Sequence, residues 1–378
     1  MREKISKLIN KRRLLNFFLE IVKVDSVSRE ERCLVDRIKK EIALPGLEFW
    51  EDNSAELIGG NAGNLIINIP GDKKGKGLLL SAHLDRVEPG RGIIPVIRGE
   101  YIESEGNTVL AGDDLIGVSA IIEAIKVLKE NNLEHRSFRV IFTIAEEIGL
   151  LGAKHLDPEE YSNLEYGFVF DADGEIGSII NKAPVQYKFN VLISGKAAHA
   201  GMNPGRGINA IKIASLAISN MRLGQIDEET TANIGVIKGG RASNIVPDLV
   251  ELEGEIRSHS EEKLLKQKED MIEIIEQACK KFRGRASYDI EKLYDVFAIS
   301  PESDIISNTE RVYRKLNLKT SLVTGGGGSD ANVYNSRGLT TLNLAVGMEN
   351  VHSNDERVKI QNLYLITEFI INLLTIKE

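Results

Sequence analysis

Residues 77–85 read Gly-Leu-Leu-Leu-Ser-Ala-His-Leu-Asp. An unbroken apolar run that stops on a polar pair is the pattern of a strand covered on both faces, as in a parallel α/β sheet. His83 and Asp85 are two apart in chain expected to be extended, so their side chains share one face. Open α/β sheets bind ligands beyond the carboxyl ends of their strands, and this pair falls at such an end.

Four further islands carry residues of the same types. Asp113 and Asp114 lie in Ala-Gly-Asp-Asp-Leu, just ahead of a helical pattern. Glu146 and Glu147 follow the apolar stretch Arg139–Ala145, Asp171 and Asp173 follow Tyr166–Phe170, and His352 stands in a polar loop after Thr340–Ala345. Imidazoles and carboxylates are the ligand types that suit zinc and related divalent ions. A carboxylate whose oxygens point apart can bridge two ions, and a spare carboxylate can take a proton from water. Each island alone has a plainer explanation: a structural histidine at a strand end, a helix cap at Asp113–Asp114, a solvated strand end at Glu146–Glu147, a surface histidine at position 352. Adjacent acids behind a buried run are costly without a partner or a task. Five such islands in one order at strand ends outweigh the separate explanations. Asp171 is preferred to Asp173 because it ends the apolar run directly, and a turn at Asp173–Gly174 accounts for the second acid.

Up to residue 183 helical and strand patterns alternate. Helical spacing marks Leu14–Val24, Glu30–Glu41 and Val118–Lys129. From Val185 the pattern changes. Strand-like alternation over Val185–Gly195, Thr231–Lys238, Leu249–Arg257 and Ala286–Val296 is interleaved with helices at Ile208–Leu223 and Ser260–Phe282, an order of β-α-β-β-α-β. This predicts an inserted domain over 184–297, leaving 1–183 and 298–378 as one discontinuous domain that closes with a helix over Ile360–Ile376. The run Gly325–Gly328 looks like a phosphate cradle, but no P-loop lysine follows it.

At 378 residues the chain exceeds one small core. Its 42% hydrophobic and 28% charged residues are those of a soluble globular protein, and a net charge of -8 speaks against nucleic acid as a partner. No run of 18 apolar residues occurs, so neither a transmembrane helix nor a membrane partner is expected. Lys11-Arg12-Arg13 followed by Leu14–Val22 imitates the start of a secretory signal. Asn16, Glu20 and Lys23 interrupt it and no A-x-A site follows, so an amphipathic helix is expected instead. The two cysteines, Cys33 and Cys279, form no CxxC pattern and are expected to be buried thiols in a reducing, cytoplasmic setting.

The motifs AHLDRVEPG, LAGDDLIGVSAI, FTIAEEIGLLGA, GKAAHAGMNP, ANIGVIKGGRASNIVPD, EIRSH, GGGSDAN and GMENVHS together resemble the di-zinc exopeptidase superfamily of peptidase T, glutamate carboxypeptidase and succinyl-diaminopimelate desuccinylase. The resemblance is strongest to peptidase T-like tripeptidases and runs over essentially the whole chain. It implies a zinc-exopeptidase-like α/β/α catalytic domain carrying an inserted ferredoxin-like α+β lid and dimerisation domain. It implies two divalent ions, zinc first, with cobalt and manganese as alternatives. One would be held by His83, Asp113 and Asp171, the other by Asp113, Glu147 and His352, with Asp113 bridging. Asp85 would support His83, Glu146 would be the general base, and a cis bond would follow Asp113. On the inserted domain His199 would stabilise the oxyanion, reaching across a homodimer, and Asn244 and Arg257 would hold a short peptide; a guanidinium suits its carboxylate. The glycine run would form a flexible loop lining the pocket.

The sequence departs from that pattern at Arg86, where a threonine is usual, at Leu115 for a lysine and at Ala145 for a glutamine. None removes a ligand or the base. Arg86 places a positive charge near the metals and suggests an acidic substrate. The same metal core would also serve an N-acyl-amino-acid deacylase or a dipeptidase, and a peptide-binding protein without catalysis is the reading from another class. A second metallo-aminopeptidase family shares H-x-D, the Asp pair and the Glu pair but carries its insertion between the first Asp and the bridging Asp. Here the insertion follows Asp171.

Overall fold

The Leu78–His83 strand is buried along its whole length, and the reason lies in its neighbours. In the computed structural model, which describes residues 5–376, it runs parallel to Phe138–Thr143 on one side and to Tyr166–Asp173 on the other. Thr341–Glu349 adds a fourth parallel strand beyond Tyr166–Asp173. The antiparallel strands Leu65–Ile69 and Glu48–Glu51 extend the sheet at one edge, and Arg357–Lys359 with the Tyr101–Ser104 and Pro95–Arg98 hairpin extends it at the other. Four parallel strands end at the same edge, so the residues after His83, Thr143, Phe170 and Glu349 emerge together.

Helices cover the sheet. Gly112–Glu130 is buried on all sides from Gly112 to Leu128, as expected of a helix apolar around its circumference. The spacing predicted its start at Val118. Continuous helical dihedrals start right after Asp114; Asp113 and Asp114 themselves form a kink with non-helical dihedrals, and the peptide bond between them is cis. The first predicted helix runs Lys11–Ile21, where Asn10 Oδ1 accepts the Arg13 N–H as a cap. In the next, Leu34, Val35, Ile38 and Ile42 face inward. Cys33 lies off that stripe and is exposed, contrary to the expectation that both cysteines are buried; Cys279 is buried.

The chain divides into two compact units. One takes the chain up to Lys182, Ala298–Gly325 and the chain from Ser329; the other takes Ala183–Phe297 with Gly326–Gly328. The second unit has an antiparallel sheet in the order Gly224–Gln225, Thr230–Gly239, Leu249–Ser258, Val185–Ser194, Arg285–Tyr294. Helices Ala210–Asn220 and Glu261–Phe282 bury Ile213, Ala217, Met271 and Ile275 against Phe189, Val191, Ile193 and Ile256 of that sheet. The alternation in Val185–Ser194 follows from this single covered face. Ser260 caps the longer helix by accepting the Lys263 N–H. The glycine run is pinned rather than free. Gly325 N–H donates to Lys182, Gly326 O accepts from Arg257, and a Cβ at Gly328 would lie 2.3 Å from the Tyr294 ring. No described helix is long and apolar enough to cross a membrane.

Candidate active site

The sheet delivers the five islands to one place. Registers pair His83 with Thr143 and Ser81 with Val169, so Asp171, two residues beyond Val169, comes level with His83. His83 Nε2 lies 3.1 Å from Asp113 Oδ1 and 3.5 Å from Asp171 Oδ1. His352 Nε2 lies 3.1 Å from Asp113 Oδ2 and 3.1 Å from Glu147. Asp113 therefore offers one oxygen toward each imidazole. Asp173, at the end of the same strand as Asp171, is exposed.

Backbone contacts aim these groups. His83 Nδ1 is 2.9 Å from the Asp85 main-chain oxygen, which fixes the ring and leaves Nε2 for the cluster. The Asp85 carboxylate lies 3.6 Å from Nδ1, and it accepts the N–H of Glu146 at 2.8 Å and of Glu147 at 3.2 Å, and the Ser28 hydroxyl at 2.6 Å. It is fully buried, and two main-chain donors next to it provide what its charge needs. Asp114 accepts the His83 N–H at 3.2 Å.

The cluster is crowded with negative charge. Burial, then the Asp171 charge, pushes Glu146 and Asp114 well above the usual carboxylate range, and burial does the same to Asp171. Burial would raise Asp113 too, but His352 and His83 overcome it and hold Asp113 low. Asp113 and Glu147 in turn push His352 up to about 10. Imidazoles are thus drawn toward the charged form by carboxylates that outnumber them. Divalent cations suit the same donors better: both imidazoles then stay neutral and donate lone pairs, and the acids ionise together. One donor atom each from His83, Asp113 and Glu147 lie within 4.8 Å of one another, as do one each from His83, Asp114 and Asp171. The residues present fit a metal centre.

Arg86 corrects an expectation. It is 1% exposed, and its guanidinium donates to the main-chain oxygens of Val22 at 2.8 Å and Val24 at 2.7 Å and to the Ser26 hydroxyl at 3.1 Å. Its donors are spent on the loop after the first helix, so it supplies no free charge for an acidic substrate.

In the second unit His199 and Asn244 come together. Ala200 N–H donates to the Asn244 main-chain oxygen at 2.9 Å, and His199 bridges Ile245. His199 is exposed, and its Nδ1 accepts the N–H groups of Gly201 and Met202 at 3.2 and 3.1 Å. An accepting Nδ1 places the proton of the neutral ring on Nε2. Arg257 is gripped by Glu255, Nε to Oε1 at 3.0 Å and Nη2 to Oε2 at 2.9 Å.

Sequence reasoning passed over Glu31, Asp330 and Glu356. Glu31 accepts the Ala145 N–H, Glu356 accepts main-chain donors around Asp113, and Asp330 accepts the Thr143 hydroxyl at 2.5 Å. Glu31 sits among Arg29, Glu30 and Arg32 with nothing local to single it out; Glu356 stood near His352 but without a strand end to mark it.

Comparison with known proteins bears on this geometry. A peptidase family M28 model matches residues 64–199, which hold all the cluster residues except His352, and a peptidase dimerisation domain model of the M20 type matches residues 184–283. The crystal structure of aminopeptidase PepT from Bacillus cereus is 40% identical, covers 97% of this chain and 99% of its own, and superposes with a TM-score of 0.88. The chain belongs to the peptidase T-like M20 metallopeptidases. A tripeptidase from Staphylococcus aureus is 36% identical over 98% of this chain and 99% of its own, with a TM-score of 0.93. Bacillus subtilis YqjE is 41% identical over 97% of this chain and 99% of that protein. As a peptidase T-like M20 protein the chain is a metal-dependent exopeptidase with a dimerisation domain inserted in its catalytic domain.

Proposed function

We propose that this exopeptidase trims short peptides, tripeptides foremost, with two zinc ions in the cluster. His83, Asp171 and Asp113 would hold one, and Glu147, His352 and Asp113 the other. The observation that carries the reading is that the two oxygens of Asp113 each lie 3.1 Å from a different histidine Nε2. Two divalent cations there would polarise the scissile carbonyl and acidify the attacking water.

The chain's own groups do the rest. Glu146, which Asp85 holds by its backbone N–H and not by its carboxylate, takes a proton from the water on that carboxylate. The water oxygen bonds to the carbonyl carbon, the C–N bond breaks, and Glu146 passes the proton to the leaving nitrogen. His199, with Nε2–H as its donor, stabilises the oxyanion. Asn244 orients the peptide and Arg257 receives its carboxylate.

A homodimer through the second unit is part of this reading. Its Thr230–Gly239 strand lies beside Gly224–Gln225 only at Thr231 and Ala232, and Val236 and Ile237 further along are exposed. An edge strand with exposed apolar residues invites a partner. Two unpaired cysteines accord with a cytoplasmic setting.

The test is a digest of a short-peptide library with free, acetylated and amidated ends, with zinc, cobalt or manganese added. Release of terminal residues from tripeptides supports the reading. Cleavage of N-acylated amino acids in preference would favour the deacylase, and binding without turnover under every metal would overturn the enzyme reading.

A further inference from the structure

Two alanines at the site have left-handed backbones, Ala111 with φ 61° and Ala145 with φ 50°. A Cβ makes that conformation unfavourable, so it persists only where its surroundings hold it. Each stands two residues ahead of a proposed ligand, Ala111 before Asp113 and Ala145 before Glu147. Each gives its N–H to a buried glutamate outside the ligand set. Glu356 Oε2 accepts from Leu110 at 2.7 Å and from Ala111 at 3.0 Å, while Oε1 accepts from Asp113 at 2.9 Å. Glu31 Oε1 accepts from Ala145 at 3.0 Å and from Arg29 at 2.9 Å. The two glutamates are 2% and 0% exposed.

We propose that Glu356 and Glu31 are positioning residues, two carboxylate clamps that hold the left-handed turns at Ala111 and Ala145 and so set where Asp113 and Glu147 present their oxygens. The proposal rests on the metal-centre reading above. The clamps differ in a way that can be tested. Glu356 uses both oxygens. Glu31 uses one, and its Oε2 is buried with no hydrogen-bond partner among the described residues. A glutamine has one accepting oxygen. At position 31 it can keep both contacts and put its NH2 where the unused oxygen lies. At position 356 its NH2 must face a main-chain N–H.

The experiment compares wild type with E31Q, E31A, E356Q and E356A. Zinc affinity is read by competition with a chromophoric chelator, and kcat and KM are measured on a tripeptide. Groups behind metal ligands are worth about 10–100-fold in metal affinity or activity. E356Q, E356A and E31A should each lose about that much in zinc affinity and in kcat, with KM little changed, while E31Q recovers most of what E31A loses. Equal behaviour of the two glutamine variants, both harmless or both damaged, would overturn the proposal. Should E356A not fold, Ala111→Gly in the same chain lowers the cost of the left-handed turn and leaves no NH2 against the main-chain donors, so A111G/E356A should fold. Failure of the double variant to fold would equally overturn the clamp. A wild-type chain that binds no divalent ion would overturn the metal-centre reading itself.

Discussion

The Asp85 carboxylate holds Glu146 by its main-chain N–H, at 2.8 Å. The proposed base is thus aimed through its backbone, and its own carboxylate stays available. Asp85 takes the Glu147 N–H with its other oxygen, so one residue orients the adjacent acid pair from behind. Asp85→Ala should lower kcat about 10–100-fold while both ions remain bound. Asp85→Asn should be nearly as damaging, since its NH2 would face a main-chain donor. Kinetics with elemental analysis of the purified variants checks both; full activity in Asp85→Asn would contradict the role.

Arg86 is a structural residue by its contacts, and substitution should show it. Arg86→Lys offers fewer donors in a different geometry and leaves buried main-chain oxygens without partners. A loss of about 2–4 kcal/mol is expected, read from urea denaturation. The ratio of activity on acidic and neutral tripeptides should not move. A changed ratio at unchanged stability would restore a substrate role.

Much of this is legible in the amino-acid sequence. Apolar runs ending in His83, Glu146 and Asp171 identify parallel strands because burial on both faces leaves no polar alternation to confuse the pattern. The ligand types follow from those ends. Short edge strands such as Pro95–Arg98 are half-exposed and polar, and carry no such run. Glu31 and Glu356 escaped for a different reason. Their function is to accept main-chain hydrogen bonds from residues 114 and about 245 positions away in sequence, and no local pattern records such a pairing. Arg86 was misread for the same cause: its charge is visible in the sequence and its backbone partners are not.

His199 carries a prediction that separates chemistry from loop structure. Its Nδ1 holds the Gly201 and Met202 N–H groups, and its Nε2–H is the proposed oxyanion donor. Asparagine can reproduce the Nδ1 acceptor but has no group at Nε2. His199→Asn and His199→Ala should both lose about 10²–10³-fold in kcat. Near-normal turnover in His199→Asn would reduce the residue to a loop support.

Away from the site, Glu51 predicts an acid-dependent term in stability. Burial tends to raise its pKa, but Arg32, Lys39 and the Gly63 N–H outweigh it and bring it down to about 2. A carboxyl depressed in the folded state stabilises above its unfolded value, and the contribution is lost as pH falls through the folded value. Glu51→Gln should therefore cost about 1 kcal/mol near neutrality, after allowance for solvent screening. The difference from wild type should narrow below about pH 4.5. Paired denaturation curves at neutral and acid pH check the sign; a difference that grew on acidification would contradict it.

As proposed, the cluster around Asp113 is a two-metal peptidase centre with Glu146 as its proton carrier. The most direct measurement is tripeptide turnover by Glu146→Gln with two divalent ions shown to be bound per chain. Wild-type metal content and a kcat lower by about 10²–10⁴-fold are expected. Wild-type turnover from that metal-loaded variant would contradict it.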